Sequence, residues 1–126
     1  MSQPLHITSE IGKLKIVLLH RPGEELENLI PDYLTDLLFD DIPYLELAQR
    51  GHDAFADALR SRGVEVLYLD QLATAAINTE ALREQFVDEM LAASKQGSRR
   101  VTQTLRSFLL DLPTHAMIRK IMAGVR

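Results

Sequence analysis

Cysteine is absent from this 126-residue, 14.2 kDa chain. Disulfides, thiolate zinc sites and a cysteine nucleophile are therefore all excluded within it. Long hydrophobic runs are missing as well: no apolar stretch exceeds four residues, as in Ile16 to Leu19. A membrane-spanning helix needs about 20 such residues. The first residues, Met1-Ser2-Gln3-Pro4, lack the basic start and apolar core of a secretory signal. Internal repeats and low-complexity segments are missing too. Together these absences predict a soluble cytoplasmic protein. What is present is ordinary globular composition, 46% hydrophobic and 25% charged. The length suits about one domain.

Charge is uneven along the chain. Through Ala76 there are six Lys or Arg against thirteen Asp or Glu, a balance of −7. From Ile77 onward eight basic residues face five acidic ones, a balance of +3 that recovers the total of −4. Arg99, Arg100 and Arg106 raise the question of nucleic acid. Their helical spacing among apolar residues argues against it, and no nucleic-acid or membrane partner is expected.

Lys13 to His20 reads as a buried strand closed by the Arg21-Pro22-Gly23 turn. Pro31 begins a short helix reaching about Leu38. A longer helix runs from about Pro43 to Arg62, with Leu45, Ala48, His52, Phe55, Ala56 and Leu59 on one face and a Glu46–Arg50 pair outside. Gly63 ends it, and Val64 to Leu69 forms a second strand. Strand, helix and strand imply one parallel sheet. Asp70 caps a short helix, Gln71 to Ala76.

Beyond a boundary near Asn78 the pattern is wholly helical. Thr79 caps a helix whose core face is Leu82, Phe86 and Met90 with Val87 and Leu91 beside it. A second helix carries Val101, Leu105, Phe108 and Leu109. A third opens at Leu112-Pro113, carries Met117, Ile118, Ile121 and Met122, and stops at Gly124. Two strands do not make an independently stable sheet, and the apolar first strand needs cover on both faces. Partners for both parts are expected further along a parent chain or on another subunit.

No two of His6, His20, His52 and His115 stand at helical metal-pair spacing, and there is neither a phosphate loop nor a nucleophile elbow. His20 and His52 read as packed or surface histidines. Asp40-Asp41, after the apolar Leu37-Leu38-Phe39, suits a guanidinium or amine ligand on a loop. The plainer role for either aspartate is to cap the helix beginning at Pro43.

Five blocks then carry a resemblance: Ser9 to Leu14, Val17 to Gly23, Leu37 to Tyr44, His52-Asp53, and Gly63 to Leu69. In order and spacing they resemble the N-terminal end of bacterial arginine deiminases, within the guanidino-group-modifying superfamily. That resemblance implies an α/β fold: residues 1–77 as the first module of an α/β propeller and residues 78–126 as the start of a helical insertion. It implies hydrolysis of L-arginine to L-citrulline and ammonia without metal or organic cofactor. A cysteine attacks the guanidinium carbon, a histidine shuttles protons, and acidic residues hold the guanidinium. None of the four histidines here matches the catalytic one, and no catalytic residue is assigned within this chain. Leu38, Asp40 and Asp41 match the substrate-entrance segment, with Leu38 nearest the bound arginine. The chain accordingly reads as an inert N-terminal fragment whose partner is the rest of the parent chain, with L-arginine bound by the full-length enzyme. The competing reading is a non-catalytic module that self-associates, as a homo-oligomer, through an exposed strand edge.

Overall fold

The computed structural model describes residues 7–34, 40–41, 43–94 and 98–125. Among these, two strands and seven helices follow one another: β1 (Ile16–Leu19), α1 (Glu24–Glu27), α2 (Pro31–Leu34), α3 (Leu45–Arg60), β2 (Glu65–Tyr68), α4 (Leu69–Ala76), α5 (Glu80–Ala93), α6 (Arg99–Asp111) and α7 (Thr114–Ala123). The chain is thus mixed α/β, mostly helical, with a small two-stranded sheet. No described helix is long and apolar enough to cross a membrane.

The strands pair in parallel, Ile16 opposite Glu65 through Leu19 opposite Tyr68. The Glu65 amide extends the ladder by donating to the Lys15 carbonyl at 2.8 Å. Side chains alternate between faces. Val17 and Leu19 are half-buried, as are their partners Val66 and Tyr68, and α3 packs against β2 with Ala56 fully buried. The other face is open: Ile16 is 41% and Leu18 52% exposed. The fully buried strand expected from the sequence is therefore covered on one side only.

The end of α3 shows why Gly63 stands where it does. Its φ of 77° lies in the left-handed region, which glycine enters without a Cβ penalty. The Gly63 amide donates to the Arg60 carbonyl and the Val64 amide to that of Leu59. These two bonds form a Schellman closure that turns the chain straight into β2.

Capping differs from expectation at two places. The N-cap of α3 is Tyr44, with no side-chain cap bond, so neither Asp40 nor Asp41 is the N-cap residue of that helix. Asp70 lies inside the first turn of α4, whose N-cap is Tyr68; one Asp70 oxygen accepts from the Gln71 amide and the other from Arg119. Glu46 accepts from the Tyr44 hydroxyl at 2.7 Å, a nearer partner than Arg50. Thr79 does cap α5, accepting from the Leu82 amide. An unanticipated turn of helix, α1, follows the Pro22-Gly23 turn because Glu24, Glu25 and Glu27 suit a helix N-terminus.

Val87, Leu91, Leu109, Met117 and Ile118 form the main core, with Ala73 and Ile77 of the preceding segment packed against it. Leu82, Met90, Val101 and Phe108, expected inside, are 39–46% exposed, and Phe55 on α3 is 54% exposed. The reason is the number of neighbours. Arg106 bonds Asp88 and Glu84 along one flank of the α5–α6 pair, while too few described helices surround the apolar stripes to enclose them fully. The helical part is joined to the strands through α7. Arg119 reaches Asp70, Lys120 reaches Glu24, and the Asn28 amide caps the Ala123 carbonyl at 2.7 Å.

Arg83 holds the end of α6. Its guanidinium, on a side chain only 17% exposed, donates at 2.7 Å to the carbonyls of Leu110 and Leu112. Such orphan carbonyls at a helix terminus need a donor. Arg83→Met is expected to lower unfolding stability by about 1.5–3 kcal/mol, read from denaturant midpoints, because it leaves those carbonyls without their charged donor.

Candidate functional site

In a parallel sheet both strands end on the same side, and ligand crevices form outside those carboxyl ends. Here that position holds a cavity of about 640 Å³. The segment after β1 supplies His20 to Glu25, α3 supplies Gln49, Asp53, Asp57 and Arg60, and Tyr68 stands at the end of β2. Asp70 of α4 and Arg119 and Met122 of α7 close the far wall.

Two contacts hold the loop after β1. Arg21 grips Asp53 in a two-pronged pair, Nε to Oδ1 at 2.8 Å and Nη2 to Oδ2 at 2.9 Å. That fork geometry matches guanidinium to carboxylate and fixes direction as well as distance. Gln49 donates to the Pro22 carbonyl at 2.9 Å. Since the Arg21 bond favours the charged form, the Asp53 carboxyl sits below its ordinary range.

Glu25 organises the turn itself. Its Oε1 accepts from the Gly23 amide and from His20 Nε2, both at 2.7 Å. Burial alone would raise its pKa, but the backbone amides of Glu25 and Gly23 and the His20 ring outweigh that and hold the carboxyl below its ordinary range. A Cβ at Gly23 would lie 2.8 Å from Glu25 Oε2, so a larger residue there would make the carboxylate shift.

Tyr68 is the aromatic ring of the described lining. His52 packs against Tyr68 with ring centroids 5.7 Å apart, and the Arg60 guanidinium carbon stands 5.8 Å from the Tyr68 centroid while pairing with Asp57. His52 Nε2 is buried without a hydrogen-bond partner. The described cavity lining thus carries an acidic excess, and its carboxylates already hold three guanidinium groups, those of Arg21, Arg60 and Arg119. The remaining two lining carboxylates are engaged as well, Glu24 with Lys120 and Glu25 with His20, so the charges of the cleft are largely balanced within the chain. No group of three or more metal-ligating side chains occurs among the described residues.

Asp40 and Asp41 are exposed on a bend just before α3 and are not among the described lining residues of the cleft. Leu38 lies outside the described residues. The structure therefore brings together a different set, centred on Arg21, Asp53, Glu25 and Tyr68. Sequence reasoning singled out none of these as a site, although Arg21-Pro22-Gly23 directly follows a strand and marks the carboxyl edge where such crevices form.

Comparison with known proteins finds relatives along the whole chain. The profile of the family described as arginine deiminase matches residues 35–126. The arginine deiminase of Bacillus cytotoxicus is 55% identical over 126 residues, all of this chain and 31% of the relative. That of Oenococcus oeni is 56% identical over 124 residues, 98% of this chain and 30% of the relative. The Streptococcus agalactiae enzyme is 52% identical over 126 residues, covering 99% of this chain and 31% of its own. The chain therefore spans about a third of the length of these curated relatives.

The depressed carboxyl groups set a direction for pH dependence. A carboxyl whose folded pKa is lowered stabilises the fold above its unfolded value and loses that contribution as the pH falls through the folded one. The window here opens near the ordinary value of 4.5 for Glu25 and extends below it. Melting temperatures followed down through this range should fall more steeply for the native chain than for Glu25→Gln, which lacks the ionisation. Parallel curves would show that Glu25 is not held by these bonds.

Proposed function

The chain belongs to the arginine deiminase family, and from that premise we propose that it is the N-terminal part of an enzyme hydrolysing L-arginine to L-citrulline and ammonia. The observation carrying this proposal is identity of 52–56% sustained across essentially the whole chain with proteins of that name. The alternative of a non-catalytic interaction module has no comparable support.

The chemistry sets what this chain contributes. A thiolate adds to the guanidinium carbon, ammonia leaves, and water then releases citrulline and restores the thiolate. With no cysteine among 126 residues, the nucleophile belongs to the roughly two-thirds of the parent enzyme not represented here. Residues 1–77 form the first module of an α/β propeller and residues 78–126 the beginning of a helical insertion. The open face of Ile16 and Leu18 supports further chain packing on the sheet, since two strands fall short of a self-sufficient sheet. Leu38 contacts the aliphatic part of arginine at the substrate entrance. Asp40 and Asp41 stand beside it, pairing with basic groups or ordering the loop. No cofactor enters the reaction, and the enzyme works in the cytoplasm.

Two assays test this. The isolated chain should release no citrulline from arginine above background, and clear turnover by it would contradict a nucleophile located elsewhere. In the full-length enzyme, Asp40→Asn should reduce kcat/KM for arginine by about tenfold, the scale of one weakened charge-assisted contact. An unchanged kcat/KM would remove Asp40 from the entrance.

A further inference from the structure

The loop after β1 runs along one flank of α3 and meets it at three levels. Leu45, Gln49, Asp53 and Asp57 recur every fourth residue, so they form one stripe down the helix, and all four line the cleft. In the third turn Asp53 receives the two-pronged Arg21 contact, and in the second Gln49 donates to the Pro22 carbonyl. Nearest the helix start, Leu26 and Glu27 of α1 face Pro43, Tyr44 and Glu46 across a smaller cavity of about 370 Å³.

The start of α3 gets no help from its own cap. Tyr44 makes no side-chain cap bond, and its hydroxyl donates to Glu46 instead. Such a start lacks the contact that ordinarily fixes a first helical turn. Burial of Ala56 holds the later half of the helix, so the earlier half depends on the flank. The loop on that flank is itself stiffened, because Glu25 accepts from the Gly23 amide at 2.7 Å. The segment bearing Asp40 and Asp41 leads straight into the uncapped turn. Its position is therefore tied to where Arg21 and Gln49 hold α3.

We propose that Arg21 is a positioning residue for arginine binding, acting through Asp53 and the first turns of α3 on the entrance segment of Leu38, Asp40 and Asp41. The assignment rests on the entrance role proposed above for that segment and adds what holds it in place. Arg21 itself touches no substrate, since its guanidinium is engaged by Asp53. A forked pair fixes direction as well as distance, so it sets how α3 is turned about its own axis. A small rotation there moves the chain just before Tyr44.

Kinetics and amide exchange of the full-length enzyme test it together. Arg21→Met should raise KM for arginine about threefold to fivefold while kcat changes less than about twofold, the scale of one forked exposed pair. A purely structural role would lower the active fraction, and hence apparent kcat, without moving KM. Asp53→Asn should raise KM alike, and the double variant no further than either single one. Exchange reads the brace apart from the substrate. The Ala48 amide, which donates to the Tyr44 carbonyl, should exchange about fivefold faster in Arg21→Met, with the Ser61 amide at the helix end unchanged. An unchanged Ala48 rate overturns the brace, and additive KM effects overturn its action through Asp53. Faster exchange with an unchanged KM shows instead that the entrance segment does not serve arginine, and the positioning role falls with it.

Discussion

The parallel pairing of β1 with β2 is the constraint from which the remaining architecture follows. Parallel strands cannot be joined by a tight turn, so the chain from residue 20 to residue 64 has to travel back along the sheet. That return is α3, and its buried Ala56 lets the helix lie against the strands. Because both strands run the same way, their carboxyl ends open together. The loop of Arg21 to Gly23 and the start of α4 then flank one crevice. The Arg21–Asp53 fork and the Glu25 carboxylate hold that loop in place. Packing, turn geometry and the cleft are consequences of one pairing.

Polar contacts over long sequence separations join this unit to the helices that follow. Arg119 with Asp70, Lys120 with Glu24 and Asn28 with the Ala123 carbonyl all run through α7. The two charged pairs are largely exposed and contribute modestly on their own. Met117 and Ile118 are buried with Val87, Leu91 and Leu109, and Ala73 and Ile77 pack against that cluster, so apolar burial adds to the attachment. The result is a cleft walled on one side by α3 and on the other by α4 and α7.

Much of this was legible in the amino-acid sequence, and the failures have physical causes. The strands, the long helix, the Gly63 terminus, the Thr79 cap and the stop at Gly124 each rest on local rules of backbone sterics or periodicity, and each stands near its expected place. Burial was harder. Periodicity assigns an apolar stripe to a helix but does not say whether neighbours cover it, so Leu82, Met90, Val101, Phe108 and Phe55 came out exposed. The site was least legible. Arg21 and Asp53 are 32 positions apart, and nothing in either local pattern announces their pairing. Asp40 and Asp41 drew attention because adjacent carboxylates are conspicuous in a sequence. Their conspicuousness is also what made capping seem a natural role, one that the Tyr44 start of α3 does not give them. The family was legible because five short blocks agreed in order as well as in kind.

Amide hydrogen exchange, resolved residue by residue on the isolated chain, tests the central claim most directly, because the sheet is the element with the fewest local reasons to form. If β1 and β2 pair as described, the Glu65 amide and the ladder amides within β2 should be protected to a degree comparable with the amides of α7. Ladder amides that exchange at unfolded-chain rates while α5, α6 and α7 remain protected would contradict it.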